Sequence, residues 1–542
     1  MIGSRYDVII LGSGLSGLCA AMRILELEKA NILVLSPGSG ATPYIAAINV
    51  ALPYNPWGDS VKQHYLDTME AGFWINDPML VEEMCFSAPR CIELLQEWGV
   101  RFASKDGDFL RRRTSGSSYP RSLCQTSGLI GGQISSLLRE VLLRKGVKFV
   151  RGFCNNLIVY DGRVYGVSFV THDESDSKNI FAPVVVAAWG GIGTLFPDST
   201  YPSDVDGRGL AIAFEAGVSL IDLEFLEFEP LVLLHPPSLR GEPCPTAMLG
   251  EGAYLLNKNG ERFLLRFRPQ GEAGAPKSLI NMAIWDEVSR GNGSPHGGIY
   301  VDLRHIPEST LRAYPWFYNR VVSVGLDPKR DLLEVGPMAH SHSGGIKVER
   351  GYRTSVKGFF AIGEAAGGIH GACRLGGNAA TQALVSGILA AEEIAKEREE
   401  NEREFEKALG KKSLIDSSIR FKRNASIMGE KICLIKDILR KAFGFRRSGC
   451  ELERAFNLIS DILESTELKL DTFSYQTVLS ALLLIKAAFL REETRGSHYR
   501  EDYPFIKPQW QCSIEIFKGE DGSVCWRKVS RSPTEEGFKS CF

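Results

Sequence analysis

A chain of 542 residues with 44% hydrophobic content is long enough for two or three domains, each with its own core, and too long for a small stapled scaffold. Lys plus Arg (63) nearly balance Asp plus Glu (65), so the basic surplus that drives nucleic-acid binding is missing and polyanionic partners are not expected. The 12 cysteines form no CxxC pair and no Cys/His cluster. That argues against an iron–sulfur cluster, a structural metal or a disulfide framework, and fits reduced thiols in a cytoplasm.

In chain order, Met1 runs directly into an apolar strand beginning near Tyr6, a pattern that predicts no export signal. The segment YDVIILGSGLSGLCAAMRILELEKANILVLS reads as strand, glycine turn, amphipathic helix and second strand, one βαβ unit. Within GSGLSG, Gly12 permits a tight turn, Gly14 lets the backbone approach a pyrophosphate, and Gly17 allows close helix–strand packing, with the helix N-terminus facing the anion. The second strand ends in Ser36 and Pro37 where a dinucleotide site of the NAD type would place an acidic ribose ligand. Ser36 reads equally as a turn former and as a hydroxyl able to bond a ribose.

Further on, Phe181 to Gly191 and Gly358 to Gly368 are apolar runs ending in glycines, the pattern of buried strands that feed loops. The Pro- and Gly-rich stretch from about Pro230 to Gly336 reads as an inserted cap. After Gly387 the dense alternating charge of AAEEIAKEREENEREFEKALGKK predicts a solvated connecting helix. Helical spacing recurs from about Ser413 to Glu493, predicting an antiparallel bundle. Its most apolar part, Val478 to Leu490, falls short of a membrane span of roughly 20 residues and reads as a core helix. The tail from Tyr503 is irregular, with a strand-like piece from Cys512 to Phe517, and no internal repeat is present.

Several segments together resemble the L-aspartate oxidase, succinate dehydrogenase and fumarate reductase flavoproteins: YDVIILGSGLSGL with Ser36, GEGAYLLNKNGERF (Gly250 to Phe263), AHSHSGGIKV (Ala339 to Val348), GFFAIGEAAGGIHGACRLGGNA (Gly358 to Ala379) and LREETRGSHYREDYP (Leu490 to Pro504). The likeness runs over most of the chain and is nearest to L-aspartate oxidase. It implies an α/β fold: a Rossmann-like FAD-binding domain in two parts (1–229 and 337–395), an inserted α+β capping domain (230–336), a helical C-terminal domain (396–510) and a tail (511–542). It implies FAD as cofactor, with Ser13, Gly14, Leu15 and Ser16 along the pyrophosphate, Gly40 to Ala47 (including Ala46 and Ala47) against the flavin, and Glu364 on the ribitol. Asn378, Ala379 and Ala380 fall where backbone amides meet the isoalloxazine. Gly40 stands where respiratory members carry a histidine bonded to the flavin, so the cofactor is expected to be noncovalent.

The same resemblance assigns His340 and Arg374 to substrate carboxylates, the latter by a bidentate fork; read from residue type alone, His340 is more readily a hydrogen-bonded structural histidine, and its family position reverses that reading. Lys277 occupies the place of the family's proton-transferring arginine. Burial can lower a lysine's pKa toward that of a base near neutral pH, while an exposed surface lysine is the plain alternative. Glu229 replaces a histidine, Leu249 replaces an arginine, and Thr114 stands for a glutamate of aspartate oxidases, which leaves the substrate open. Arg111 to Arg113 read either as a dianion attractor or as an exposed basic loop.

The expectation is an L-aspartate oxidase-like enzyme of NAD biosynthesis, cytoplasmic, moving a hydride from a small amino or dicarboxylic acid to flavin, with oxygen or fumarate as acceptor. The alternatives are a soluble fumarate reductase or succinate dehydrogenase-like flavoprotein, and a flavin-binding protein with altered or lost activity. No metal is expected, and a partner protein that transfers electrons is left open.

Overall fold

The computed structural model describes residues 5–531, apart from 115, 126–128, 172–176, 409–424, 466–467 and 469–470. The first twelve residues of the expected bundle and the end of the tail lie outside the described residues.

The runs Val8–Leu11, Ile32–Ser36 and Val184–Ala187 are continuous apolar stretches, a pattern that suits strands covered on both faces. They sit at the centre of a seven-stranded sheet. Ile10 lies beside Val34 on one side and Val186 on the other, all in parallel register. Lys148–Tyr160 and Phe359–Ala361 extend the parallel part at either side, and Arg163–Thr171 with Lys178–Phe181 complete it as antiparallel ribbons. The helix Leu15–Leu27 and the 31-residue helix Asn378–Ala408 pack on each other against this sheet. The charged half of the long helix is held by ion pairs to the sheet domain, among them Arg353 to Glu393 and Glu397 and Arg398 to Glu28. It is thus docked along part of its length where solvation alone was expected.

A second sheet forms the cap: Leu226–Leu233, Leu333–His342, Ile299–Asp302 and Tyr254–Leu256, all antiparallel. The boundaries drawn at 229/230 and 336/337 fall inside the first two of these strands, which run from the cap down to the main sheet domain. Its core, including Leu231, Leu255, Phe263, Ile284, Val301 and Phe317, is separate from the main core.

At the C-terminal end the helices Ala425–Ala442, Gly449–Glu464 and Thr472–Leu490 pack together. The last is long and apolar enough to cross a membrane by length and composition, and 72% of its apolar window is buried in the protein. The tail is more regular than expected: Cys512–Lys518 and Val524–Ser530 form a hairpin whose first strand pairs with Leu220–Ile221.

The segment after the last helix is anchored by arginines with no exposure to speak of. Arg491 bonds Glu224 at 2.6 Å and Glu493 at 3.0 Å, and Arg495 bonds Glu493 at 2.6 Å. Arg447 donates to the Glu224 carbonyl and meets His498 Nδ1 at 2.8 Å. Burial drives the Arg447 guanidinium down to about 9, against the pull of Glu224. A desolvated ion set of this kind is stable only while complete. Replacing Arg491 with methionine leaves Glu224 and Glu493 short of a cation and is expected to cost about 3–5 kcal/mol. Thermal unfolding of the variant would show this as a drop of several degrees or as loss of soluble protein, and an unchanged midpoint would contradict it.

Candidate functional site

One cavity of about 1840 Å³ lies between the main sheet domain and the cap. Gly12, Ser13, Gly14, Leu15, Ser16, Ser36, Ala46, Ala47, Glu364, Ala379 and Ala380 line one part of it, and Lys277, His340 and Arg374 line another. The structure therefore gathers most of the residues singled out from the sequence around one space. Two do not reach it. Gly17 packs under the turn, where an added Cβ would lie 2.3 Å from the Gly12 carbonyl oxygen. Asn378 is buried in the scaffold, donating to Thr68 Oγ1 at 2.9 Å and accepting from Asn49 Nδ2 at 2.9 Å. Its expected place at the cofactor is corrected to a brace below the helix start.

Two helix N-termini open on the cavity, those of Leu15–Leu27 and Asn378–Ala408. Their first N–H groups have no intrahelical acceptor and carry partial positive charge, which suits a pyrophosphate at one and an electron-rich ring edge at the other. Gly12 has φ of 128° and approaches the Ala188 carbonyl so closely that a Cβ would sit 2.1 Å from it. Ser13 and Ser36 both donate to the Gly38 carbonyl, so the Ser36 hydroxyl shapes the turn as well as facing the cavity. Glu364 is half-buried on the cavity wall, accepts from Tyr201 and from the His342 amide at 2.9 Å, and is pushed up by desolvation. Gly40 donates its N–H to Asp204 and carries no side chain that could attack a cofactor.

At the other part of the cavity an antiparallel pair sets the chemistry. Glu227 lies opposite Ser341, but Phe228 lies opposite Ala339, so His340 is the extra residue of a β-bulge. A bulge turns its extra side chain out of the regular alternation, here into the cavity. Its Nδ1 meets Thr200 Oγ1 at 2.8 Å. Burial and the nearby Lys277 ammonium lower the imidazole to about 4, so it is neutral at pH 7.

Lys277 opens the helix Lys277–Ser289, and its Nζ bonds Glu227 at 2.9 Å and Glu229 at 2.8 Å. Its side chain is 13% exposed, which removes the surface-lysine reading. Burial alone would lower its pKa, but the two carboxylates outweigh burial and raise it, so the expectation of a base near neutral pH is corrected to a firmly held ammonium. Burial raises Glu227 and the Arg374 and Lys277 charges overcome that, holding the carboxyl at about 2. Arg374 bonds Glu227 Oε1 at 3.0 Å, and its other contacts, Ser341 Oγ at 3.3 Å and the Leu375 carbonyl at 3.4 Å, are long. Its guanidinium edge is thereby left with capacity for a carboxylate. Glu229 also accepts from Thr246. The ligand atoms of Glu227, Glu229 and His340 lie within 4.8 Å of one another. The positive charge such a cluster needs is supplied by Lys277.

Glu227, Ser341, Thr200 and Thr246 were not singled out from the sequence. Glu227 was within reach: two glutamates two residues apart in EFLEFEPLV share one strand face, and acids facing a core need a cation. Arg111 to Arg113 are mostly engaged, Arg111 with Asp108, Arg112 with the Ala313 carbonyl and the Tyr314 ring, and Arg113 with the Ser117 carbonyl. Thr114 donates to the Gly376 carbonyl at 2.8 Å.

Residues 7–380 match the FAD binding domain family, and residues 471–530 match the fumarate reductase flavoprotein C-terminal family. The chain belongs to the succinate dehydrogenase and fumarate reductase flavoprotein family. It is 33% identical to a subunit of the fumarate reductase (CoM/CoB) of Methanothermobacter marburgensis, over 94% of this chain and 96% of that one. It is 30% identical to the L-aspartate oxidase of Pyrococcus horikoshii, over 93% and 97%. Among solved structures, a quinol-fumarate reductase with menaquinol molecules superposes with a TM-score of 0.83 at 26% identity, over 98% and 99% of the two chains. Mycobacterium smegmatis Sdh1 superposes with a TM-score of 0.81 at 26% identity, over 100% and 97%.

The chain is an FAD-dependent oxidoreductase of this flavoprotein family, and the glycine turn and the two helix starts fit that cofactor. When bound, FAD supplies hydride transfer. At Gly14, an added Cβ meets only Thr42 Oγ1, at 3.1 Å. Gly14→Val is therefore expected to fold while filling the approach to the pyrophosphate, cutting flavin content about tenfold or more. Visible absorbance of the purified variant checks this, and full flavin occupancy would overturn the placement. The wild-type flavin is expected to leave the precipitated chain on acid denaturation, because Gly40 offers no nucleophile.

Proposed function

We propose that the chain reduces the double bond of a small unsaturated carboxylic acid, seating the carboxylate on Arg374 and supplying the proton from Lys277. The observation that carries this reading is the Lys277 ammonium on the cavity wall, held between Glu227 and Glu229. Adding hydrogen across a double bond needs a hydride and a proton. The hydride is the cofactor's contribution, and Lys277, which the two carboxylates keep protonated, is the group on the wall that carries a proton to give. In a reduction the residue starts from its resting, protonated form, with the proton given up against both carboxylates, whereas in an oxidation it would have to start from the scarce neutral amine. His340, neutral and braced by Thr200, offers a hydrogen bond without adding charge.

Oxidation of L-aspartate is the second reading, favoured by relatives named L-aspartate oxidase at 28–31% identity. The site supports it less well. An amino acid brings an ammonium group, and the wall beside Gly376 carries Thr114 instead of a carboxylate. Bleaching of the oxidised flavin by L-aspartate under anaerobic conditions would favour this second reading, whereas reoxidation of chemically reduced enzyme by an unsaturated acid supports the first.

Arg374 and Lys277 should fail differently when replaced. Arg374→Ala leaves the substrate carboxylate without its partner, and binding should weaken by about 2–5 kcal/mol. Lys277→Met keeps the bulk of the stem and removes the proton, so the limiting rate of flavin reoxidation should fall about 100-fold with less effect on half-saturation. Stopped-flow traces over a range of acid concentration separate the two quantities. An intact limiting rate in Lys277→Met would remove lysine from the proton-transfer role.

A further inference from the structure

The charges around Arg374 and Lys277 bear on which acid the site takes, given their roles proposed above. Two cations are matched by two anions: Glu227 bonds both Lys277 and Arg374, and Glu229 bonds Lys277. Both carboxyls are held below their usual range, with burial opposed by the neighbouring cations, so both are charged at pH 7. His340 is neutral there. A further carboxyl on the cavity wall, Glu364, also acts on Arg374. The cluster has no net positive charge left over. One carboxylate can be bound by polarising the free edge of Arg374, but a second carboxylate on the same small molecule would enter a desolvated site without a counter-charge.

The wall beyond the ions points the same way. Leu249, Ala247, Ala275 and Tyr314 line the cavity on the cap side, and Leu249 is almost completely buried. Thr246 beside Leu249 is engaged by Glu229, and the cap-side arginines that also line the cavity are engaged elsewhere, Arg240 with Asp198 and Arg268 with the Gly271 and Ala273 carbonyls.

From this balance of charges and the apolar wall, we infer that the preferred substrate is a monocarboxylate: an α,β-unsaturated acid whose far end is apolar, in place of a dicarboxylate. In its reduction, a hydride adds to the carbon β to the carboxylate and a proton from Lys277 Nζ adds to the α carbon. The carbon–carbon π bond, one lysine N–H bond and the bond that would hold the hydride in the reduced cofactor break, and two C–H bonds form. The acid gains two electrons, the bound flavin is oxidised by two, and the lysine recovers its proton from water. A low-potential electron donor must reduce the flavin again, a role a reduced viologen dye fills in the assay.

Crotonate and fumarate test this directly, because they differ by a methyl group in place of one carboxylate. Titrated into the oxidised holoenzyme and followed by the flavin spectrum, crotonate is expected to bind at least tenfold more tightly than fumarate. Glu229→Gln removes one negative charge and should narrow that ratio by tenfold or more. Tighter binding of fumarate to the wild type, or an unchanged ratio in a flavin-loaded Glu229→Gln protein, would overturn the inference. If the variant does not retain flavin, the wild-type ratio decides alone. Oxidation of reduced viologen by the two acids is measured in parallel. If neither is reduced, the proposed reaction fails, and the binding ratio still decides the charge argument.

Discussion

A lysine buried between two glutamates, one of which it shares with an arginine, is the interaction on which the rest of the site depends. Each of these charges would be strongly unfavourable alone in a dry interior, and each is made tolerable by the others. The set spans distant parts of the chain: Glu227 and Glu229 on a strand leading into the cap, Lys277 at the start of a cap helix, and Arg374 in the loop before the long helix of the main domain. The cap and the main domain therefore meet through ions as well as through packing. Any substrate group that enters must compete with, or be added to, an already balanced network.

The same short stretch of chain ties this site to the C-terminal segment. Asp222, Glu224, Glu227 and Glu229 are all buried within eight residues. Glu224 faces Arg491, while Glu227 and Glu229 face Arg374 and Lys277. Asp222 bonds Ser513 at 3.2 Å, and burial together with Glu224 raises it to about 7. The strand entering the cap is thus pinned at one end by Arg491 and Arg447 of the C-terminal helical region and at the other by the cations of the cavity. This explains how a signature remote from the cavity in sequence can fix the position of acids inside it. Rigid support of this kind is what a site needs to hold reacting groups in place.

Much of this was legible from the sequence, and for physical reasons. GSGLSG lies between apolar runs, so its glycines could be read as a turn against a strand and helix, and Gly12 and Gly17 do make backbone contacts that leave no room for a Cβ. The cap and the apolar core helix announced themselves by Pro/Gly content and by length. Lys277, His340 and Arg374, 97 residues apart at the extremes, were brought together only by likeness to a family, and the cavity unites them. What remained hidden depends on contacts that no local pattern encodes. The direction of the Lys277 shift required knowing that two carboxylates, not one or none, meet its ammonium. The aim of His340 required a bulge, which is a mismatch of register between two strands. Asn378 sits beside two cavity residues in sequence yet points into the scaffold, because successive residues of a helix start face different ways.

The residues at 277 and 229 make sense together more readily than singly. An arginine's planar fork is best met by one carboxylate in a bidentate grip, whereas a lysine is a compact charge with three donors that can be shared among separate acceptors. Glu227 and Glu229, two apart on a strand, present separate carboxylates on one face, and the Lys277 ammonium bonds one oxygen of each. Lysine at 277 and glutamate at 229 therefore depend on each other. A glutamate at 229 beside no cation would be a buried uncompensated charge, and a lone lysine at 277 would be lowered by burial. The pairing keeps a protonated group on the wall and leaves the set of Lys277, Arg374, Glu227 and Glu229 without surplus positive charge.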